Sequence, residues 1–240
     1  MATCSIAIVA AMEREVSVLI KNWRRVQHKH EGRTHTFFEN GEHICICGGI
    51  GLEAARRASE AAIVLYHPQK IYSVGFAGAL DPSLRVGEIF TPSAILDARD
   101  GSRTQLGDGS GTLLTFHHVV GAAQKQKLAS AYPAQAVDME AAAVATAASR
   151  HGIAFAAIKA ISDETTFELP GSERFIDHEG RFHTASFILF ALLRPWLWRR
   201  VAQLAGNSRK AVTALGKQLD HVLKNQQPAR RETLIARRDD

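Results

Sequence analysis

Short apolar runs alternate along this chain with segments whose apolar residues recur at helical spacing. Ser5 to Ala10, Ile71 to Gly75 and Ile153 to Ile161 are runs of the kind that form strands buried on both faces of a sheet. Between them, Val16, Val18, Leu19 and Trp23 continue as a helix after Met12-Glu13-Arg14-Glu15, with Glu15 in its first turn. A second helix spans Leu52 to Tyr66 and stops before Pro68, and a short third spans Gln124 to Ala131. Thr34 to Glu39 and Glu42 to Cys47 read as strands paired around Asn40-Gly41, a strong hairpin signal. The polar stretch Arg24 to Glu31 reads as a loop or hairpin lead-in. Val86 to Phe90 starts a further strand, Asp97 to Gly111 is a loop, and Thr112 to Val120 is a strand carrying His117 and His118. Val137 to Ala145 reads as the start of a helix that has no charge from Ala141 to Ser149, so it belongs in a core. Its acids, Asp138 and Glu140, fall in the first turn, where the helix dipole favours negative charge. Phe167 to Gly171 reads as a flap, and the chain from Thr184 onward as helical. This alternation predicts an α/β chain folded as a layered α/β/α domain over residues 1–186, followed by a helical extension over 187–240.

Composition narrows the class. Of 240 residues, 46% are apolar and 22% charged, the balance of a globular, soluble chain. No apolar run approaches the ~20 residues that span a bilayer. The opening residues lack the basic start of a signal peptide, so they read as the first core strand of a cytoplasmic protein. Cys45 and Cys47 alternate within one strand and, with Cys4, read as core thiols; no metal site is expected. The net charge is +5, unevenly spread: residues 194–240 hold eleven Lys/Arg against four acids, a surplus of seven that leaves the body at −2. A mildly acidic body with a basic tail marks an appendage, and no nucleic-acid partner is expected. Phe187 to Leu193, followed by Arg194-Pro195-Trp196-Leu197-Trp198-Arg199-Arg200, has the composition of a helix that lies in a membrane interface. The same residues also suit a helix packed on the body or on a partner subunit. Contact with a membrane surface through residues 187–200 therefore stays open.

The candidate chemistry is carboxylate chemistry. Ligands in open α/β sheets bind beyond the carboxyl ends of strands. Glu15, Glu140 and Asp163 each follow a predicted strand or open a helix at such an end. Taken singly they also read as helix caps or loop acids, and Glu13 and Glu15 as a salt-bridged turn around Arg14. Gly48-Gly49-Ile50-Gly51 joins a strand to a helix, an arrangement that offers backbone N–H groups to an anion or a sugar hydroxyl. It is neither a dinucleotide fingerprint nor a P-loop, and tight turns alone also account for it. Phe76-Ala77-Gly78-Ala79-Leu80 is a small-residue turn, where backbone must approach something closely.

Six motifs in order then carry a resemblance: Ala11-Met12-Glu13-Arg14-Glu15, Gly49-Ile50-Gly51, Gly75-Phe76-Ala77-Gly78-Ala79-Leu80, Val86-Gly87-Glu88, Val137-Asp138-Met139-Glu140-Ala141 and Ala160-Ile161-Ser162-Asp163. Over residues 5–175 the chain resembles the nucleoside phosphorylase/nucleosidase superfamily, and most closely the methylthioadenosine/S-adenosylhomocysteine nucleosidases. The resemblance implies a three-layer α/β/α sandwich around a mixed, twisted sheet, in a homodimer or larger homo-oligomer. It implies cleavage of the bond between a purine and its ribose, with adenine released from a 5′-modified adenosine. Asp163 is then the general acid toward the purine N7, with a raised pKa supplied by burial. Glu140 binds the ribose 2′-hydroxyl and stays ionised. Glu15 matches the glutamate that activates water. Met139 packs on the ribose, Met12 lies near the 5′ group, Val119 and Val120 fall on the purine-contacting segment, and Gly49, Gly51, Ala77, Gly78 and Ser162 complete the binding site.

Two departures matter. Gly48 stands where the nucleosidases have a serine, and the region between Val86 and Val119 is shorter by about a helix and its loop, which implies a more open pocket and a bulkier 5′ group. The chain also resembles the hopanoid-associated phosphorylase branch, whose substrate is an adenosyl-triterpenoid. Hydrolysis is favoured here, because of Glu15. Phosphorolysis is the alternative, with inorganic phosphate as co-substrate held by Arg14, Arg33 and the glycine turn. A third reading is peripheral binding to membrane or nucleic acid through the tail. No organic cofactor is implied.

Overall fold

The computed structural model describes residues 4–168, 172–175, 177, 179–183, 186–187, 190 and 194–225. Its strands are β1 (Ile6–Ala10), β2 (Arg24–His30), β3 (Arg33–Asn40), β4 (His43–Cys47), β5 (Lys70–Ala79), β6 (Ile89–Phe90), β7 (Ala94–Asp97), β8 (Arg103–Gln105), β9 (Thr112–Thr115), β10 (Ala136–Asp138) and β11 (Ala154–Asp163). Its helices are α1 (Ser17–Ile20), α2 (Leu52–Tyr66), α3 (Ala122–Ala131), α4 (Ala141–Arg150) and a long carboxyl-terminal helix, α5 (Trp198–Asn225).

All strands join one mixed sheet in the order β2-β3-β4-β1-β5-β10-β9-β7-β8, and β11 also pairs with β5 and continues to β6. β5 is the branch point. β11 runs parallel to it from Lys70 to Gly78 and β1 parallel to its first half, Lys70 to Val74, while β10 meets only its last two residues, antiparallel, pairing Val137 with Gly78. β1, β4, β5 and β11 thus end at one edge of the sheet, and β10 arrives there from the opposite direction.

Period-2 alternation assigns the two faces. Ala7 and Val9 of β1 and Ile71 of β5 join Phe37, Ile44 and Ile46 under α2 and α4. The facing helices contribute Ala55, Ala58, Ala61, Ala62, Val144, Ala147 and Ala148, small residues that let helix and sheet approach closely. The other face of the same strands, Ile6, Ile8, Tyr72, Val74, Ile158 and Ala160, lies under α1 and α5. α5 repeats its buried positions at Ala211, Leu215, Leu219 and Leu223, a strict four-residue spacing that puts one stripe on the sheet. The basic tail helix therefore supplies core on this face, with its charged side turned outward. Trp196 and Trp198 remain exposed at its start, while Leu197 is buried. No helix among the described residues is long and apolar enough to cross a membrane.

Several elements differ from those read in the sequence. Arg24 to His30 is an edge strand rather than a loop. Backbone pairing with β3, from Arg24 opposite Glu39 to His30 opposite Arg33, holds it without apolar alternation, and a charged edge discourages further strand addition. The strand at Thr112 stops at Thr115 because the chain then turns toward β10, Phe116 N–H donating to the Asp138 carbonyl at 2.8 Å; His117 and His118 are exposed in the following loop. Val137 and Asp138 belong to β10, wedged between β5 and β9, and the helix begins only at Ala141. α1 is a single turn, and Glu15 lies before it. Within the stretch read as a flap, residues 169–171 lie outside the described residues, as do 188, 189 and 191–193 of the apolar segment at 187–193.

Leu215 is fully buried against the sheet, so Leu215→Ala should destabilise the protein by about 2–5 kcal/mol in urea unfolding. A loss below about 1 kcal/mol would mean that α5 is not part of the folded core.

Candidate active site

The carboxyl ends bring three acids to one place. Glu15 follows β1 and is buried; its Oε2 accepts the Met12 N–H at 3.3 Å. The carboxylate fits against β5 because residue 75 is glycine: a Cβ there would lie 2.9 Å from Glu15 Oε2. Glu140 stands directly before α4. Its Oε1 accepts the Gly51 N–H at 2.8 Å, and its Oε2 the Met139 N–H at 3.2 Å. Asp163 ends β11 in register with Gly78, whose other neighbour is Val137 of β10. The Ser162 hydroxyl donates to Asp163 Oδ1 at 2.6 Å, and Lys125 Nζ donates to Asp163 Oδ2 and, at 2.7 Å, to the Glu164 carbonyl.

Beneath the two glutamates lies a buried ion pair. Lys159 Nζ sits 2.9 Å from Asp138 Oδ2 and donates to Ser73 Oγ at 3.0 Å; both charged side chains are almost wholly buried. Asp138 also accepts the Thr115 hydroxyl at 2.7 Å and the Ala141 N–H at 2.9 Å, so it caps α4 from within the sheet. Burial works against the Lys159 ammonium, but the charges of Asp138, Glu140 and Glu15 outweigh it and hold this group above its ordinary range.

Burial acts on the glutamates in the opposite sense. It pushes Glu15 up from 4.5 to about 7 despite the nearby Lys159 ammonium. Glu140 is also pushed up to about 7, by burial first and then by the Asp138 charge, with Lys159 and the Gly51 N–H opposing. Glu140 therefore differs from the fully ionised group expected from the helix dipole. Desolvation and a neighbouring anion exceed the ~1 kcal/mol that a helix N-terminus usually contributes.

The other predicted positions divide. Gly49 and Gly51 carry the turn around Glu140, both at positive φ (103° and 96°). Ala77 is buried and accepts the Ser162 hydroxyl at 3.4 Å, and Gly78 faces Asp163. Met12 and Met139, both half-buried, bracket the glutamates along the chain. Val119 is exposed, and Val120 packs at the edge of the cluster formed by Leu80, Leu114 and Leu128. Neither valine has a described contact with the acids.

The glycine turn presents no free cradle. Gly48 N–H donates to Ala10 O at 2.9 Å, Gly49 N–H to Ala11 O at 2.9 Å, and Ile50 N–H to Gly180 O at 2.7 Å; Gly51 N–H is held by Glu140. Arg14 lies over the Phe182 ring, 5.6 Å from its centre, and lines a separate cavity of about 440 Å³ with Ser17, Phe76 and Arg209. Arg33 faces Glu179 across 3.7 Å at the surface.

Two buried cations at the site escaped the sequence reading. Lys159 had a signal, as the lone charge inside the run Ile153 to Ile161. Lys125 had none, since Gln124-Lys125-Gln126-Lys127 looks like any solvated helix face.

The folded protein binds the Glu15 proton more tightly than the unfolded chain does. This group therefore lowers stability progressively as pH rises from about 4.5 through about 7. Glu15→Gln removes that cost, so at pH 8 the variant should be more stable than the parent by about 1–3 kcal/mol, with little difference at pH 4. Urea unfolding at the two pH values checks this; equal effects at both would show that Glu15 is not desolvated.

Comparison with known proteins agrees with this architecture. The family model described as the phosphorylase superfamily matches residues 5–125 and 110–194. A Staphylococcus aureus 5′-methylthioadenosine/S-adenosylhomocysteine nucleosidase is 28% identical over 197 residues, covering 66% of this chain and 86% of the relative. The structure of the Helicobacter pylori nucleosidase of the same name superposes with a TM-score of 0.70 at 14% identity, over 94% of this chain and all of that one. Futalosine hydrolase of Helicobacter pylori gives 0.65 at 16% identity, over 92% of this chain and 99% of that one. The three-layer sandwich around a mixed sheet, read from the motifs, is the fold observed, and the chain belongs to the phosphorylase superfamily as an enzyme of its nucleosidase and phosphorylase kind.

Proposed function

We propose that this enzyme hydrolyses the N-glycosidic bond of a 5′-modified adenosine and releases adenine. The observation that carries the choice of water over phosphate is Glu15, a carboxylate buried against Gly75 and pushed up to about 7 by that burial. A base of that strength accepts a proton from water most effectively at neutral pH. The groups that phosphorolysis would need are occupied: every N–H of the turn at Gly48 to Gly51 has a partner, Arg14 lies over Phe182, and Arg33 faces Glu179.

In this reading Glu140 binds the ribose 2′-hydroxyl. Burial and the Asp138 charge disfavour its ionised form, so a cation developing at C1′ stabilises that form far more than a neutral ground state does. An interaction that strengthens toward the transition state raises the rate of the chemical step. Asp163 delivers the proton to N7, which turns the purine into a competent leaving group, and Ser162 fixes the carboxyl plane through Oδ1. Met12 and Met139 pack against the sugar and its 5′ end, with Gly49, Gly51, Ala77 and Gly78 giving the backbone room. Val119 and Val120 stand on the loop beyond β9, on the purine side.

Incubation of the protein with 5′-methylthioadenosine, S-adenosylhomocysteine and adenosine should release adenine from at least one without inorganic phosphate, at a rate that added phosphate leaves unchanged. Release that requires phosphate would overturn hydrolysis. With whichever nucleoside is cleaved, kcat/KM should climb with pH to a plateau with a midpoint near 7, as Glu15 and Glu140 ionise. Asp163→Asn should lower kcat by roughly 100-fold or more with the fold intact by circular dichroism. A near-normal rate in that variant would remove Asp163 from the role of acid.

A further inference from the structure

Lys125 is the one buried residue besides Leu128 on α3, and its side chain is 1% exposed. Lysine is almost never buried this fully without a paired charge, because its ammonium is strongly hydrated. Here the ammonium reaches across to the end of β11, where it is held by Asp163 Oδ2 and the Glu164 carbonyl. Its path is cut through β5 at Gly78. A Cβ at that position would lie 3.1 Å from Lys125 Cε, 3.3 Å from Nζ and 3.1 Å from Asp163 Oδ2. The ion pair is open at one end only: the Asp163 side chain is 20% exposed while the lysine is sealed behind it.

A free aspartate has lost its proton at neutral pH, so an aspartate that must protonate a leaving base needs a source for that proton. We propose that Lys125 is a positioning residue for Asp163 that also supplies this proton, the pair acting as one acid. This rests on the purine-cleavage reading above. As the bond between C1′ and N9 breaks, its electron pair goes to N9 while one proton passes from the Lys125 ammonium to the Asp163 carboxylate and on to N7, so that Asp163 ends as the carboxylate it began as. The lysine is left as a neutral amine, which regains a proton from solvent after the base departs. Glu15 takes the proton of the attacking water and returns it to solvent.

The test compares two leaving groups in wild type, Lys125→Met and Lys125→Arg. One substrate is 5′-methylthioadenosine, whose purine must be protonated; the other is 4-nitrophenyl β-D-ribofuranoside, whose nitrophenolate leaves without a proton. Lys125→Met should lower kcat for adenine release roughly 100-fold or more, with KM within about threefold. Its rate on the nitrophenyl riboside should stay within about threefold of wild type, and Lys125→Arg, which keeps the charge but gives up no proton, should share the deficit in adenine release. An equal loss on both substrates, or no loss on either, would overturn the proposal. If Lys125→Met does not fold, Lys125→Arg decides: a kcat deficit confined to adenine release supports the role, and an equal effect on both substrates or none on either overturns it. Failure of the underlying reading would show in the wild type itself, as cleavage of neither substrate.

Discussion

The contact on which this structure depends is the ion pair between Lys159 and Asp138. It is buried at the centre of the sheet, where unpaired charge is prohibitively costly. Lys159 comes from β11, Asp138 from β10, and the third partner, Ser73, from β5, so the pair ties together the three strands that meet at the branch. Asp138 in turn caps α4 and accepts from Thr115 of β9. A single carboxylate thus sets where the core helix begins and how β9 and β10 lie against each other. Such pairs seldom add net stability over an apolar filling. This one holds a charged residue where Glu15 and Glu140 can feel it.

That placement explains the electrostatics of the site. Four charged groups share one poorly solvated region: two acids that burial drives toward neutrality, one acid fully paired, and one ammonium held by all three. Lys159 keeps the glutamates from rising further than about 7, and Asp138 keeps Lys159 from neutralising Glu140 outright. The outcome is a cluster of groups able to take up or release protons near neutrality.

The glycines of β5 make this crowding possible. Gly75 leaves room for the Glu15 carboxylate, and Gly78 for the Lys125–Asp163 pair. One strand therefore carries two openings three residues apart, each filled by a carboxylate. Gly78 is also the residue at which β10 and β11 lie on either side of β5. The branch in the sheet and the Lys125–Asp163 pair coincide there.

The alternation of strands and helices was legible from the chain alone, because buried parallel strands must be apolar on both faces and their helices amphipathic. Glu15, Glu140 and Asp163 were legible as candidates for a related reason, since each stands where an apolar element ends and a ligand can reach it. The strand at Arg24 to His30 was not, because an edge strand is held by backbone bonds that leave no apolar period. Nor was the role of Asp138, which looks like a helix-cap acid until β10 is seen wedged between β5 and β9. Lys125 lies on a helix that is otherwise polar, and nothing within ten residues distinguishes it from Lys127. Its partner is thirty-eight positions away. Local sequence determines which segments can be buried. Which charges share the buried space, and so which protons can move, is decided only when the strands that carry them are brought side by side.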